Sequence, residues 1–150
     1  SLTRHARPAE FPVSNLYAWH VFEHRDQAYA EARAKLFVRG MLEDWYISPF
    51  LEPDECAPVE ANFAAFAQAY ARNSPHIEGV PEPLLDKLVN NLTFAGTPAD
   101  IDGFVEQLLA FESAGLNEFA IRLYGQPAAA MRLIAERVMP ALDPVSSGLK

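Results

Sequence analysis

The pattern of apolar and polar residues predicts three strands. Segments 13–22 (VSNLYAWHVF), 92–96 (LTFAG) and 116–124 (LNEFAIRLY) are short and contain the aromatic and branched side chains typical of strands. Both alternating faces of 13–22 are largely apolar, which indicates a strand covered by helices on both sides. In 116–124 one face is apolar and consists of Phe119, Ile121 and Leu123.

Helices are predicted between and after these strands, because apolar residues recur there at helical spacing. The stretches concerned are 27–44, 58–72, 98–114 and 127–139, with a shorter helix around 84–90 and a loop over 45–57. In the first helix the inner stripe is predicted to be Ala28, Ala32, Leu36 and Gly40.

Local signals mark several helix ends. Thr97 is placed to cap the third long helix, and Gly115 to end it in the left-handed conformation. Pro58 and Pro127 suit a first helical turn, and Pro140 is expected to close the last helix.

The order of these elements predicts the fold class. Strands that alternate with helices favour parallel pairing through right-handed crossovers, and 150 residues suit one domain. We therefore predict a single α/β segment over 1–150, with a frayed tail at 143–150.

Composition narrows the class of protein. Half of the residues are hydrophobic, and no apolar run approaches the roughly 18–20 residues that span a bilayer. The net charge of −8, with no basic stripe, predicts no nucleic-acid partner and no membrane. The single cysteine, Cys56, excludes an internal disulfide and fits a cytoplasmic location. Because the chain begins at Ser1, we expect a processed chain or part of a longer protein.

Two segments together carry a resemblance to a known family. Residues 92–142 contain a strand ending in Gly-Thr-Pro, an amphipathic helix, Ala-Gly before an aromatic and branched strand, Tyr-Gly, and a helix ending in Met-Pro-Ala-Leu. Residues 13–36 (VSNLYAWHVFEHRDQAYAEARAKL) supply a preceding strand and helix. This order resembles the C-terminal end of the luciferase-like monooxygenase superfamily, whose members are (β/α)8-barrel enzymes that use reduced FMN or the deazaflavin F420.

The resemblance implies a fold and an activity. The chain would be the C-terminal part of a TIM-type (β/α)8 barrel, with about three parallel strands and their covering helices. The activity would be that of a flavin- or F420-dependent oxidoreductase or monooxygenase acting on a small-molecule substrate. A whole barrel needs about 250 residues, and most cofactor contacts of the family lie in units that this chain lacks. We therefore expect FMN or F420 in the complete enzyme and no cofactor on this chain alone.

Arg122 and Tyr124 are candidate binding residues on the third strand. In a barrel Arg122 would point inward, and Tyr124 would lie near the carboxyl-end rim where barrel enzymes hold their active sites. An inward arginine binds a cofactor phosphate or an acidic substrate. The alternative is a structural ion pair with a carboxylate on a neighbouring strand.

His20 is the candidate catalytic residue. It ends the first strand together with Phe22, and a histidine at such a rim polarises a carbonyl or holds a proton. Phe22 and Phe94 are predicted to line the same pocket, for cofactor or substrate. The alternatives are a hydrogen-bonded structural histidine and a phenylalanine that belongs to the core.

Two further motifs do not predict a metal site or a catalytic residue. His20, Glu23 and His24 spell H-x-x-E-H, the inverted zincin pattern. Zinc chemistry of that kind needs the two histidines one helical turn apart, whereas this motif spans a strand end and a turn, so we predict no metal site. Cys56 follows two carboxylates, which oppose thiolate formation and argue against a catalytic cysteine.

Two functions of different class therefore stay open. The first is the oxidoreductase described above. The second is a non-catalytic module, in which a truncated barrel has become a small α/β binding or assembly protein. In both cases three strands leave two unpaired sheet edges. We expect a homo-oligomer, or association with the N-terminal part of the same barrel.

Overall fold

A computed structural model describes residues 14–37 and 41–142, and it contains one parallel sheet. The strands are β1 (Ser14–Val21), β2 (Thr93–Gly96) and β3 (Glu118–Leu123), in the order β2-β1-β3. β1 pairs with β2 from Ala18↔Thr93 and with β3 from Ser14↔Glu118. The predicted α/β class, the three strands and their parallel pairing are confirmed.

The described helices occupy the intervals between the strands and follow the last one. They are α1 (Arg25–Ala34), α2 (Asp44–Ile47), α3 (Pro53–Ala61), α4 (Phe63–Arg72), α5 (Glu82–Leu92), α6 (Ile101–Ser113), α7 (Pro127–Leu133) and α8 (Met139–Leu142). A 3₁₀ turn (Pro98–Asp100) precedes α6, and a π turn (Ile134–Val138) joins α7 to α8. None of the helices in the described ranges is long and apolar enough to cross a bilayer.

Helices cover both faces of the sheet, because β1 lies between β2 and β3. The connection from β1 to β2 and the connection from β2 to β3 run in opposite directions across the sheet. Right-handed crossovers then place them on opposite faces. The described strands form an open, doubly wound sheet, whereas a closed barrel carries its helices on the outer face alone.

Two hydrophobic cores result, one on each face. The larger core joins α1 to the helices α3–α5, and Ala32, Val59 and Leu88 in it are fully buried. The aromatic core lies between the sheet, α6 and the C-terminal helix; its buried members are Tyr17, Trp19, Phe94, Ile101, Val105, Leu108 and Val138. Phe119, Ile121 and Leu123 border the aromatic core, as the predicted face of β3 requires.

The region between the first two strands differs from its prediction. The helix predicted over 27–44 ends at Ala34, and Leu36 is buried beyond its end; Gly40 lies outside the described residues. The predicted loop over 45–57 is wrong, since it contains α2 and the start of α3. Pro53 takes the first helical turn because Glu52 and Glu55 form a capping box there.

Two prolines and one helix also differ from their predictions. Pro58 lies inside α3 and not at its first turn. The short helix around 84–90 extends over Glu82–Leu92. Pro140 lies within α8 and does not close the helix. Pro140 has no N–H to donate to the helix. The π turn immediately before α8 alters the hydrogen-bond pairing at this point, and the helix therefore continues through Pro140. The predicted tail at 143–150 lies outside the described residues.

The α6 helix forms as its local signals predict. Thr97 and Asp100 make a capping box, in which the Asp100 carboxylate accepts from the Thr97 N–H at 2.8 Å. At the other end Gly115 has φ +103°, and the Leu116 N–H donates to the Phe111 carbonyl at 3.0 Å. This 6→1 bond is the Schellman arrangement, which satisfies the last carbonyls of the helix.

Replacing Gly103 by alanine is expected to stabilise the protein. Gly103 lies inside α6, and a Cβ added there meets nothing within 4 Å. We expect a gain of about 1 kcal/mol and a rise in Tm of about 2–4 °C, measured by thermal and urea unfolding. Gly115→Ala is the matched control; because its φ is +103°, the same added methyl should destabilise. A Gly103→Ala protein no more stable than the parent would contradict the prediction.

Candidate functional site

A cleft opens at the carboxyl ends of the strands. It lies where β1 and β3 are neighbours and the chain connections leave the sheet in opposite directions. Such a topological switch point is where open α/β sheets bind ligands, because the loops diverge and leave a crevice. We call this opening, with a volume of about 490 Å³, the carboxyl-end cleft. Its size falls within the range of small-molecule sites.

The cleft is lined by residues from four parts of the chain. They come from β1, from the β1–α1 connection and first turns of α1, from the 3₁₀ turn before α6, and from β3 onward into α7. Its lining includes Trp19, Phe22, Tyr124 and Ala129, together with the polar side chains of Glu23, His24, Gln27 and Gln126. Apolar walls that carry a limited set of polar groups are typical of organic-ligand sites.

His20 is fully buried beneath this edge of the sheet and paired with Glu31 of α1. Its Nδ1 lies 2.8 Å from Glu31 Oε2, and the Glu31 side chain is 19% exposed. A carboxylate only accepts hydrogen bonds, so the imidazole Nδ1–H is the donor. In the neutral ring Nε2 then carries a free lone pair and is available as a proton acceptor.

Tyr124 connects His20 with the cleft. The two rings are stacked, with centroids 5.3 Å apart and planes 12° from parallel, and Tyr124 itself lines the cleft. Burial raises the pKa of Tyr124 to about 12, which the Arg122 charge partly opposes. The phenol therefore stays protonated near neutral pH and can donate a hydrogen bond.

Buried polar atoms near the ends of β1 and β3 lie on both faces of the sheet. Trp19 Nε1 and His20 Nε2 have no hydrogen-bond partner among the described residues, whereas the Tyr124 hydroxyl lies beside that of Tyr70. Because successive residues of a strand point to opposite faces, Trp19 faces the aromatic core and His20 faces Glu31 of α1. Trp19 and Tyr124 line the cleft, whereas His20 does not.

The structure brings together three of the five predicted site residues. His20, Phe22 and Tyr124 meet at the carboxyl ends of β1 and β3. Arg122 is exposed, forms no ion pair with a carboxylate of the described ranges, and donates to the Tyr70 hydroxyl at 3.5 Å. Its guanidinium carbon lies 5.2 Å from the Tyr124 ring centroid. Phe94 is fully buried in the aromatic core, stacked on Tyr17 at 4.8 Å, and does not line the cleft.

The zincin pattern and the cysteine have other roles here. His24 is exposed at the start of α1, while His20 pairs with Glu31. The described residues contain no group of three or more His, Cys, Asp or Glu suited to a metal ion. Cys56 is buried, and burial together with the charges of surrounding carboxylates raises its pKa.

Sequence reasoning missed Glu31, the partner of His20. The available signal was its spacing: Glu31 follows Ala28 by three positions and precedes Ala32 by one, and both alanines are fully buried. Positions three apart share a helix face, so Glu31 is directed toward the sheet at the margin of the buried stripe. A carboxylate in that position requires a polar partner.

Comparison of the chain with protein-family models, with curated proteins and with solved structures finds no match. The chemistry of the carboxyl-end cleft is therefore the basis for assigning a function.

Proposed function

We propose that this protein binds a small planar organic molecule, carrying at least one carbonyl or similar acceptor, in the carboxyl-end cleft. The observation that supports this most directly is the cleft itself, whose volume of about 490 Å³ suits a small molecule and whose wall includes Trp19 and Tyr124. The side-chain amides of Gln27 and Gln126 at the cleft supply donors for an acceptor on the ligand. The apolar walls and the stacked rings favour a flat molecule over a flexible, highly charged one.

Blocking the cleft tests the binding proposal. Trp45 is 69% exposed, and the chain has two tryptophans, so Trp45→Phe leaves Trp19 as the only indole reporter, at the cleft wall. Titration with coumarin, riboflavin and FMN should quench Trp19 fluorescence with at least one of them. Ala129→Phe places a ring in the cleft and should raise that Kd by about tenfold or more.

Ala128→Phe is the matched control, since Ala128 is an exposed neighbour on α7 that does not line the cleft. It should leave the Kd unchanged. Equal Kd values for the two phenylalanine variants, or no quenching by any of the three probes up to their solubility, would overturn the proposal.

A second candidate is the oxidoreductase of the luciferase-like type. It is favoured by the meeting of His20, Phe22 and Tyr124 at one sheet edge, as the resemblance implies, and by the carbonyl oxygens of a flavin ring, which match the amide donors of Gln27 and Gln126. In this proposal FMN or F420 is held mainly by βα units upstream of this chain. The 150-residue chain then binds FMN weakly.

The two candidates differ in what lies upstream of Ser1. Five further βα units in the reading frame, and an FMN or F420 affinity about tenfold or more tighter for that longer chain, would support the oxidoreductase. A start codon near Ser1 would favour the binding module.

A further inference from the structure

We propose that a second copy of this chain pairs with the free edge of β3, antiparallel and centred on Ala120. β3 pairs with β1 on one side, and no strand of the described ranges lies on its other side. An edge of this kind presents unpaired N–H and C=O groups and pairs readily with another strand. The observations that identify the occupant as the chain itself are the charge pattern and the face pattern of β3.

The charges of β3 are complementary to themselves. In an antiparallel pair centred on Ala120, Glu118 of one copy lies opposite Arg122 of the other, and the reverse pair forms by symmetry. All three residues are exposed on one face of the strand. Glu118 and Arg122 form no ion pair within the part of the chain that the structure describes. Opposite charges that face each other across strands stabilise the pairing.

The apolar face has the same symmetry. Phe119 of one copy lies opposite Ile121 of the other, and both are half-buried at the border of the aromatic core. A two-fold axis through Ala120 therefore matches charge with charge on one face and apolar with apolar on the other. This is the self-complementarity that an isologous interface requires.

The paired sheet leaves the carboxyl-end clefts open. Because the two β3 strands run in opposite directions, their carboxyl ends and the adjoining clefts lie at opposite ends of the six-stranded sheet. The dimer thus goes beyond the proposed ligand binding and does not depend on it. It also gives Arg122 a partner other than a cofactor phosphate.

Charge exchange tests the pairing. Sedimentation equilibrium at micromolar concentration should show the parent chain as a dimer, at twice the 16.6 kDa of one chain. Glu118→Arg places two arginines opposite each other, and Arg122→Glu two glutamates; each should raise the dimer Kd by about tenfold or more. An equimolar mixture of the two variants should dimerise again, because both cross-strand pairs are then of opposite charge.

Two controls separate this result from general effects of charge or folding. Glu106→Arg makes the same charge change at an exposed position of α6 and should leave the dimer Kd unchanged. Circular dichroism should show each variant folded. A parent chain that is monomeric at these concentrations would overturn the proposal. So would a dimer Kd that neither single variant changes, or a mixture of the two variants that stays monomeric.

A cross-link tests the register. Opposed residues of antiparallel strands have Cα atoms about 4.5–5.5 Å apart, within disulfide range. Ala120→Cys should therefore form a covalent dimer under mild oxidation, whereas Ala128→Cys, exposed on α7, should not. No cross-link at residue 120 would mean that something else, such as another segment of the chain or a different partner, occupies the edge, and it would overturn the proposal.

Discussion

Replacing Phe94 by alanine is expected to lower the free energy of unfolding by about 3–5 kcal/mol, the range for a buried phenylalanine. Phe94 is 0% exposed, and its ring contacts those of Tyr17 at 4.8 Å and Phe104 at 5.0 Å between centroids. It also belongs to a strand of four residues, so the aromatic core holds β2 in place largely through this side chain. Alanine would leave a cavity between the sheet and α6.

Urea unfolding followed by far-ultraviolet circular dichroism measures this loss. Phe63→Ala makes the same chemical change at a side chain that is 38% exposed, and it should cost less than half as much. Similar losses for the two variants would contradict the assignment of Phe94 to the core, and would restore it as a candidate for the cleft wall.

Raising the pH from 10 to 12 is expected to destabilise the protein by about 2 kcal/mol through Tyr17 alone. Tyr17 is 5% exposed, and burial raises its pKa from 10 to about 12. Between these values the folded state keeps the phenol protonated while the unfolded state loses the proton. The folded state then binds more protons, so stability falls as the pH rises through this window. Tyr124, with a pKa of about 12 but less complete burial, adds a smaller effect of the same sign.

Unfolding in urea at pH 9.5 and pH 11.5 tests the alkaline effect, with Tyr17→Phe as the comparison. The parent should lose more stability than the variant over this interval, because only the parent has the phenol. The protein has five tyrosines, and part of their absorbance change at 295 nm should appear near pH 12. That part should shrink when Tyr17 or Tyr124 is removed. Equal losses for parent and variant would contradict the burial of a titrating phenol in the aromatic core.

The strands and α6 could be predicted because their signals are local. Alternation in 116–124 identifies the face that borders the aromatic core, and the Thr97 cap and Gly115 bound α6 through bonds within a few residues. The region 27–57 was predicted less well. There the end of α1 and the start of α3 depend on which side chains reach the larger core, and several prolines compete for the first-turn position.

Three residues at this edge of the sheet could be predicted from the sequence, whereas their partners could not. Rim placement at the ends of β1 and β3 identified His20, Phe22 and Tyr124, because parallel strands bring their carboxyl ends to one edge. The hydrogen bond from His20 to Glu31 joins residues 11 positions apart on different elements, which no local pattern records. Phe94 had the same rim signal, yet it faces the aromatic core.

By itself the sequence determined the class of the protein: an acidic α/β chain with three parallel strands and capped helices, since periodicity, capping and charge are encoded in neighbouring residues. Only the tertiary structure decided the strand order β2-β1-β3, and with it the two-sided cover of the sheet, the cleft between β1 and β3, and the free edge of β3. Strand order depends on the path of the connections and on competition between the two faces for apolar cover. These are interactions between residues far apart in the chain, which no local pattern records.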